Sequence, residues 1–182
     1  MYVVYAAGGF FNEKQLKTME LVESVLSEFS QFRVFKPRDG ASAAKKLNRD
    51  IGAGKDPSRD TRHQVFRDNV DNIDNAALIV AVTDDRDVGT IFEIGYAYKG
   101  SVPIITFTNE GYGQNLMLAE SVLAHCKGPE QLREACALFI KQMTESNVLD
   151  EGEFEERFKR ANLTEMSADK KLQIYKEKDG IQ

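Results

Sequence analysis

The sequence has little cysteine, no excess of basic charge and no long apolar run, and each absence argues against a class of protein. Its 182 residues include two cysteines, Cys126 and Cys136, which do not form a metal-ligand pattern. The net charge of -5 argues against a nucleic-acid-binding surface. No apolar run approaches the ~20 residues that a membrane helix needs. A strand-like segment begins at Tyr2, so we expect no signal peptide and a reduced, cytoplasmic setting.

Short apolar runs alternate with amphipathic segments along most of the chain. The strand-like runs are residues 2–6, 32–35, 76–82, 102–107 and a weaker one at 122–125. The helix-like segments are residues 12–29, 60–73, 87–100, 115–119 and 130–143. Residues 38–60 are polar and are predicted to form a long connection, a feature that is often functional. The alternation predicts an α/β fold, a doubly wound, flavodoxin-like sheet of five parallel strands flanked by helices.

The character of the chain changes near Ser146. Beyond this point two segments, residues 151–160 and 168–178, are charged and helical in pattern, with few apolar positions. We therefore predict an α/β domain over residues 1–145, followed by a charged helical C-terminal extension over residues 146–182.

One acidic residue, Glu93, lies in apolar surroundings on the helix that follows the central strand. Its neighbours include Phe92 and Ile94, and a carboxylate in such a place is costly, which favours a functional role. Asp87 lies six residues earlier, at a helix N-cap position. Ligands of doubly wound sheets bind beyond the carboxyl ends of the strands, where this helix begins. The structural alternatives are a plain helix cap for Asp87 and a solvated helix face for Glu93.

Three motifs follow one another along the chain. The first is Val-Tyr-Ala-Ala-Gly-Gly-Phe-Phe-Asn at residues 4–12, the second is Asp-Val-Gly-Thr-Ile-Phe-Glu-Ile-Gly-Tyr-Ala at residues 87–97, and the third is Asn-Leu-Met at residues 115–117. Together they resemble the motifs of nucleoside 2-deoxyribosyltransferases. The resemblance implies transfer of 2-deoxyribose between nucleobases, with 2′-deoxyribonucleosides and free bases as substrates and no metal or organic cofactor. It also implies a homo-oligomer, dimer-based and up to a hexamer.

The resemblance also implies a role for individual residues. Glu93 would be the nucleophile that forms a covalent deoxyribosyl ester, with Tyr5 orienting its carboxylate and Asp87 binding a sugar hydroxyl. The residues that it implies for substrate binding are Gly9, Phe10, Phe11, Asn69 and Gly89, with Asn115 and Met117 acting in the site of a neighbouring subunit.

The sequence departs from the family pattern at two places. Where the family has an acid that contacts the base, this chain has Asn69, with Asp68 adjacent, and an amide is a poor general acid. Where the family often has a glutamine after the second strand, Asp39 or a residue further along the loop would serve.

Two other functions fit the same residues. One is an N-glycosidase that hydrolyses deoxynucleoside 5′-monophosphates, although the first loop is largely apolar and favours a free nucleoside. The other is a non-catalytic nucleotide-binding module, for which Glu93 would be dispensable. Gly8 and Gly9 lack the full dinucleotide fingerprint, which argues against a nicotinamide cofactor.

Overall fold

The computed structural model describes residues 1–40, 42–110 and 115–145, so the predicted C-terminal extension lies outside the described residues. Five parallel strands form one sheet: β1 (Tyr2–Ala7), β2 (Phe32–Phe35), β3 (Leu78–Val82), β4 (Ile104–Thr108) and β5 (Ala124–Lys127). The strand order is β2-β1-β3-β4-β5, the order of flavodoxin-like sheets. The predicted fold class is confirmed.

Helices cover both faces of this sheet. They are α1 (Glu13–Ser27), α2 (Ser42–Gly52), α3 (Arg59–Asp74), α4 (Val88–Lys99), α5 (Leu116–Glu120) and α6 (Gly128–Glu145). Two short 3-10 turns lie at Pro37–Asp39 and Asp84–Arg86. None of the helices in the described parts of the chain is long and apolar enough to cross a membrane.

The prediction of a long connection over residues 38–60 is wrong. It contains the 11-residue helix α2, which packs against α3. Only one residue of α2, Ala44, is buried, and Lys45 and Lys46 face solvent. The helix therefore has a narrow apolar face inside a polar segment, which is why its composition resembles that of a loop.

The register of the sheet decides which side chains face which helical layer. Successive side chains of a strand point to opposite faces. Val4 and Leu78 are paired neighbours and pack in the core cluster that includes residues of α1 and α6. Tyr5 and Ile79 are the next pair and belong to the opposite cluster, with residues of α3 and α4. Each fully buried large apolar side chain stabilises such a core by about 1.5–3 kcal/mol.

The pattern of residues 60–73 predicts one apolar face formed by Val65, Phe66, Val70 and Ile73, and only part of this face is buried. Ile73 is buried, whereas Phe66 from the same predicted face is 52% exposed. The Phe66 ring instead lies 5.9 Å from the ring of Phe92 on α4, measured between centroids. The two rings thus bridge α3 and α4 at the surface instead of entering the core.

Candidate active site

Tyr5 and Glu93 meet between the sheet and α4. The register of β1 turns the Tyr5 ring toward the α3 and α4 side, where it is fully buried and stacks on Phe35 with centroids 5.4 Å apart. Its hydroxyl donates a hydrogen bond of 2.5 Å to Oε1 of Glu93. Hydrogen bonds to a charged acceptor are short and strong. The contact spans 88 residues of sequence, so only the folded chain can form it.

Burial governs the acidity of Glu93. Removal of the carboxylate from water raises its pKa from 4.5 to about 7; the hydrogen bond from Tyr5 lowers it, and the negative charge of Asp87 raises it. The pKa of Tyr5 is itself raised far above its usual value, first by burial and then by the charge of Glu93. Tyr5 therefore remains an O–H donor at neutral pH, and Glu93 titrates close to neutrality, as suits a group that takes part in chemistry.

Asp87 caps helix α4 while staying close enough to Glu93 to affect its charge. Its Oδ2 accepts hydrogen bonds from the backbone N–H of Thr90 at 2.8 Å and from the Thr90 hydroxyl at 2.9 Å. Such caps stabilise a helix by about 0.5–2 kcal/mol. Both bonds end on one carboxylate oxygen. Asp87 is thus a helix cap, as the structural alternative predicted. Its Oδ1 takes no part in these two hydrogen bonds.

The turn after β1 presents two aromatic rings at the carboxyl edge of the sheet. Phe10 and Phe11 stack on each other with centroids 4.8 Å apart, and Phe11 is 71% exposed. At this exposure Phe11 does not pack in the core. An exposed ring beside a site is available to stack on a flat ligand.

Gln15 shapes this turn, and the sequence analysis did not single it out. Its Oε1 accepts a 2.8 Å hydrogen bond from the backbone N–H of Phe11, while its own backbone N–H donates to Oδ1 of Asn12. The signal was present in the sequence, because Asn12 and Gln15 have the spacing of a capping box. Gly9 lies against this side chain, since a Cβ there would come within 2.6 Å of Gln15 Nε2. Gly8 has no room either, with a Cβ 2.1 Å from the Met19 sulfur.

Asn69 lies partly buried on α3, in the helical layer that Tyr5 faces. The neighbouring acid, Asp68, accepts a 2.7 Å hydrogen bond from Gln64 Nε2 one turn away. Asp68 is therefore engaged along its own helix. The structure offers no reason to move the expected base contact from Asn69 to Asp68.

The third motif begins at the N-terminus of α5. Asn115 caps this helix, with its Oδ1 accepting a 2.9 Å hydrogen bond from the backbone N–H of Met117. Met117 is 75% exposed and Leu116 is 48% exposed. These side chains point away from the core of their own chain, in contrast to Tyr5, which is fully buried. Gly89, in the first turn of α4, is also exposed.

Among residues 1–40, 42–110 and 115–145, no group of three or more His, Cys, Asp or Glu side chains is arranged to hold a metal ion. Cys126 and Cys136 are buried, and burial raises the pKa of the Cys136 thiol. A thiol with a raised pKa is a weak nucleophile at neutral pH. The candidate site residues described above carry carboxylates, a phenol, an amide and aromatic rings.

Comparison with known proteins links this geometry to a family. The family described as Nucleoside 2-deoxyribosyltransferase matches residues 4–124, from β1 to the start of β5. No curated protein matches the chain.

Two solved structures share the fold, and a third is a weaker match. A 2-deoxyribosyltransferase from the psychrotolerant bacterium Bacillus psychrosaccharolyticus is 27% identical, with a TM-score of 0.60 over 72% of this chain and 90% of that chain. A conserved protein from Enterococcus faecalis V583 is 20% identical, with a TM-score of 0.58 over 79% of this chain and 99% of that chain. The Clostridium botulinum CMP N-glycosidase BcmB is 15% identical, with a TM-score of 0.47 over 74% of this chain and 98% of that chain.

The family match covers more than half of the chain and contains the first and second motifs, including Tyr5, Asp87 and Glu93, together with the third. The suspected resemblance is confirmed: the chain belongs to the nucleoside 2-deoxyribosyltransferase family.

Proposed function

We propose that the protein transfers 2-deoxyribose from one nucleobase to another, with Glu93 as the nucleophile. The observation that supports this most strongly is the hydrogen bond of 2.5 Å from the buried Tyr5 hydroxyl to Glu93 Oε1. It holds a carboxylate with a pKa of about 7 on α4, the helix that follows the central strand β3, and doubly wound sheets bind ligands near the carboxyl ends of such strands. Family membership supports nucleosides and nucleobases as the substrate class.

The first half of the reaction forms an ester. Glu93 Oε2 attacks C1′ of a 2′-deoxynucleoside while Tyr5 holds Oε1, the C1′–N bond breaks, and the base departs with the electron pair and takes a proton from solvent. A carboxylate suits this step, because its negative charge stabilises an oxocarbenium-like centre. Since Asn69 cannot supply a proton, base departure depends on the base's own basicity and on water.

The second half regenerates the enzyme. A nitrogen of the acceptor base attacks C1′ from the face that the first base left, the ester C–O bond breaks, and the carboxylate of Glu93 is restored. The acceptor loses its N–H proton to solvent. Two displacements on one carbon give net retention of configuration.

Asp87 and the aromatic turn bind the substrate in this proposal. Oδ2 of Asp87 carries both bonds to Thr90, so Oδ1 is the oxygen that accepts a hydrogen bond from a sugar hydroxyl. Phe11, exposed and stacked on Phe10, lies against the base. Stacking contacts of this kind contribute about 0.5–1.5 kcal/mol beyond the area that they bury.

Asn115 and Met117 complete the site of a second copy of the chain. The exposure of Met117 and the position of Asn115 at the N-terminus of α5 support this placement, since neither belongs to the core of its own chain. The expected assembly is a homo-oligomer built from dimers. A fully active monomer in analytical ultracentrifugation would contradict it.

The test uses 2′-deoxyinosine with and without adenine, with products separated by chromatography. Formation of 2′-deoxyadenosine together with hypoxanthine, only when adenine is present, supports transfer. Release of hypoxanthine at the same rate without adenine makes the protein a hydrolase instead. Inertness toward 2′-deoxyinosine, 2′-deoxyadenosine, thymidine and deoxynucleotides overturns both enzymatic readings and leaves a binding module.

Glu93→Gln provides the matched control for this assay. The amide has nearly the same shape and still accepts the hydrogen bond from Tyr5, but it is not a nucleophile. We expect loss of exchange by at least about 10³-fold with an unchanged circular dichroism spectrum. Exchange retained in this variant would refute the assignment of the nucleophile.

A further inference from the structure

Asp84 is a buried carboxylate that the mechanism does not use. It lies in the turn between β3 and α4 and is 5% exposed. Its Oδ1 accepts a hydrogen bond from the Thr108 hydroxyl, at the end of β4. Its Oδ2 accepts a 2.8 Å hydrogen bond from the backbone N–H of Asn109, and the N–H of Glu110 lies 3.4 Å from Oδ1.

These hydrogen bonds join two segments that leave neighbouring strand ends. Thr83, the residue before Asp84, adds a second connection, because its backbone N–H and hydroxyl both donate to the carbonyl of Phe107. The turn before α4 is thus attached to the end of β4 at two successive residues. Hydrogen bonds from backbone N–H groups to a buried carboxylate are about twice as strong as neutral ones.

The turn held in this way has an unusual backbone. Asp85 and Arg86 have φ angles of 62° and 51°, the left-handed region that non-glycine residues seldom adopt. Residues remain in such conformations when the surrounding structure holds them there, and they concentrate at functional sites. Asp87 follows directly and caps α4 through Thr90. The strained pair therefore directly precedes the residue whose carboxylate caps α4.

A third connection, from Lys14 at the start of α1, reaches the same two segments at the surface. Lys14 Nζ lies 3.2 Å from Asp85 Oδ1 and also pairs with Glu110 Oε1. Its side chain is 53% exposed, and exposed ion pairs stabilise a fold little. The buried carboxylate of Asp84, and not this surface pair, is the contact that can hold the turn.

We propose that Asp84 is a positioning residue, which fixes the strained turn against the end of β4 and thereby places Asp87 to bind the substrate. The proposal rests on the function proposed above. It adds to that function a residue that touches neither substrate nor nucleophile and that acts through Asp87.

The test compares Asp84→Asn with Asp85→Asn. Both variants remove one negative charge from the same turn, and asparagine tolerates the left-handed conformation at position 85. Only Asp84→Asn turns an amide N–H₂ toward the backbone donors of Asn109 or the hydroxyl of Thr108. We expect a loss in kcat of about 10–100-fold for Asp84→Asn, because small displacements of a substrate-binding group have such effects. Asp85→Asn should stay within about 2-fold of wild type.

Hydrogen exchange separates positioning from general stability. In Asp84→Asn we expect faster exchange at the N–H groups of Asn109 and Thr90, with the N–H groups of the central strand, such as Val80, protected as in wild type. Equal acceleration in the central strand, or wild-type kcat in Asp84→Asn, overturns the proposal. If wild-type protein is inert toward all nucleosides, the proposed function fails, and the same exchange pattern still decides whether Asp84 holds the turn.

A milder pair of variants serves if Asp84→Asn does not fold. Thr108→Val removes the hydroxyl that donates to Asp84, whereas Thr108→Ser keeps it. We expect a several-fold lower kcat for the valine variant and near wild-type kcat for the serine variant, with similar melting temperatures for the two. Equal kcat values for the two variants overturn the proposal.

Discussion

Replacing Glu93 with glutamine is expected to stabilise the folded protein at alkaline pH while it abolishes catalysis. The reason is the cost of keeping this carboxylate ionised away from water. Its pKa is about 7 in the folded chain, against 4.5 for an ordinary glutamate. The folded state therefore holds a proton on Glu93 over a pH range in which the unfolded chain has already released it.

The sign and size of the effect follow from this difference. A raised carboxyl pKa leaves the fold most stable below about pH 4.5, and stability falls as the pH rises toward 7. Each pKa unit corresponds to about 1.4 kcal/mol, so the difference amounts to about 3 kcal/mol above pH 7. Because Glu93 is only partly buried, solvent screening reduces the cost, and we expect about 1–3 kcal/mol.

The assay is urea unfolding of wild type and Glu93→Gln at pH values from 5 to 9. At pH 5 the free energies of unfolding of the two proteins should be close, and at pH 8 and above the variant should be more stable. In melting temperature the gain is on the order of 5 °C. A difference that does not change with pH, or a variant less stable than wild type at pH 9, would refute the reasoning about burial.

Three further predictions concern the partners of Glu93. In Tyr5→Phe the ring still stacks on Phe35, but the hydrogen bond that lowers the pKa of Glu93 is lost. The rising limb in a plot of kcat/KM against pH should therefore shift to higher pH by about 1 unit. A limb that stays at the wild-type pH would contradict this. Asp87→Asn removes a negative charge that raises the pKa of Glu93. The rising limb of kcat/KM should therefore shift to lower pH, while kcat falls about 10²-fold. A shift of the limb to higher pH would contradict this prediction. Mixing inactive Glu93→Ala and Asn115→Ala proteins should restore about a quarter of wild-type activity. Random pairing of the two variants makes half of the dimers mixed, and each mixed dimer has one intact site out of two. No recovery after subunit exchange would show that the sites are not shared.

The sheet could be predicted from the sequence because its strands carry their own signal. All five residues of β3 are buried, and a continuous apolar run is what a strand covered on both faces requires. Helix α2 gave a weak signal, because Ala44 is its one buried residue and its stability depends on packing against α3. The composition of a segment reflects how much of it contacts solvent. A helix that is mostly exposed to solvent therefore has a composition similar to that of a loop.

The candidate site could be predicted only as far as its residues carry local patterns. Asp87 and Glu93 stand at a fixed spacing on one helix, so the sequence displays them together. The hydrogen bond from Tyr5 depends on strand register, which turns that ring toward α4. The role of Asp84 was not predictable, because its partners lie 24 to 26 residues further along the chain and two of them are backbone N–H groups, which any residue supplies.

The most direct test of the account is a search for the covalent intermediate. Wild-type protein is mixed with 2′-deoxyinosine without an acceptor base, quenched in acid within milliseconds to seconds, and digested for mass spectrometry. The account predicts a peptide containing Glu93 that is heavier by one deoxyribosyl group, lost when adenine is added before quenching and absent from Glu93→Gln. Base exchange in the wild type without any such adduct, or an adduct on a different residue, would contradict the central claim.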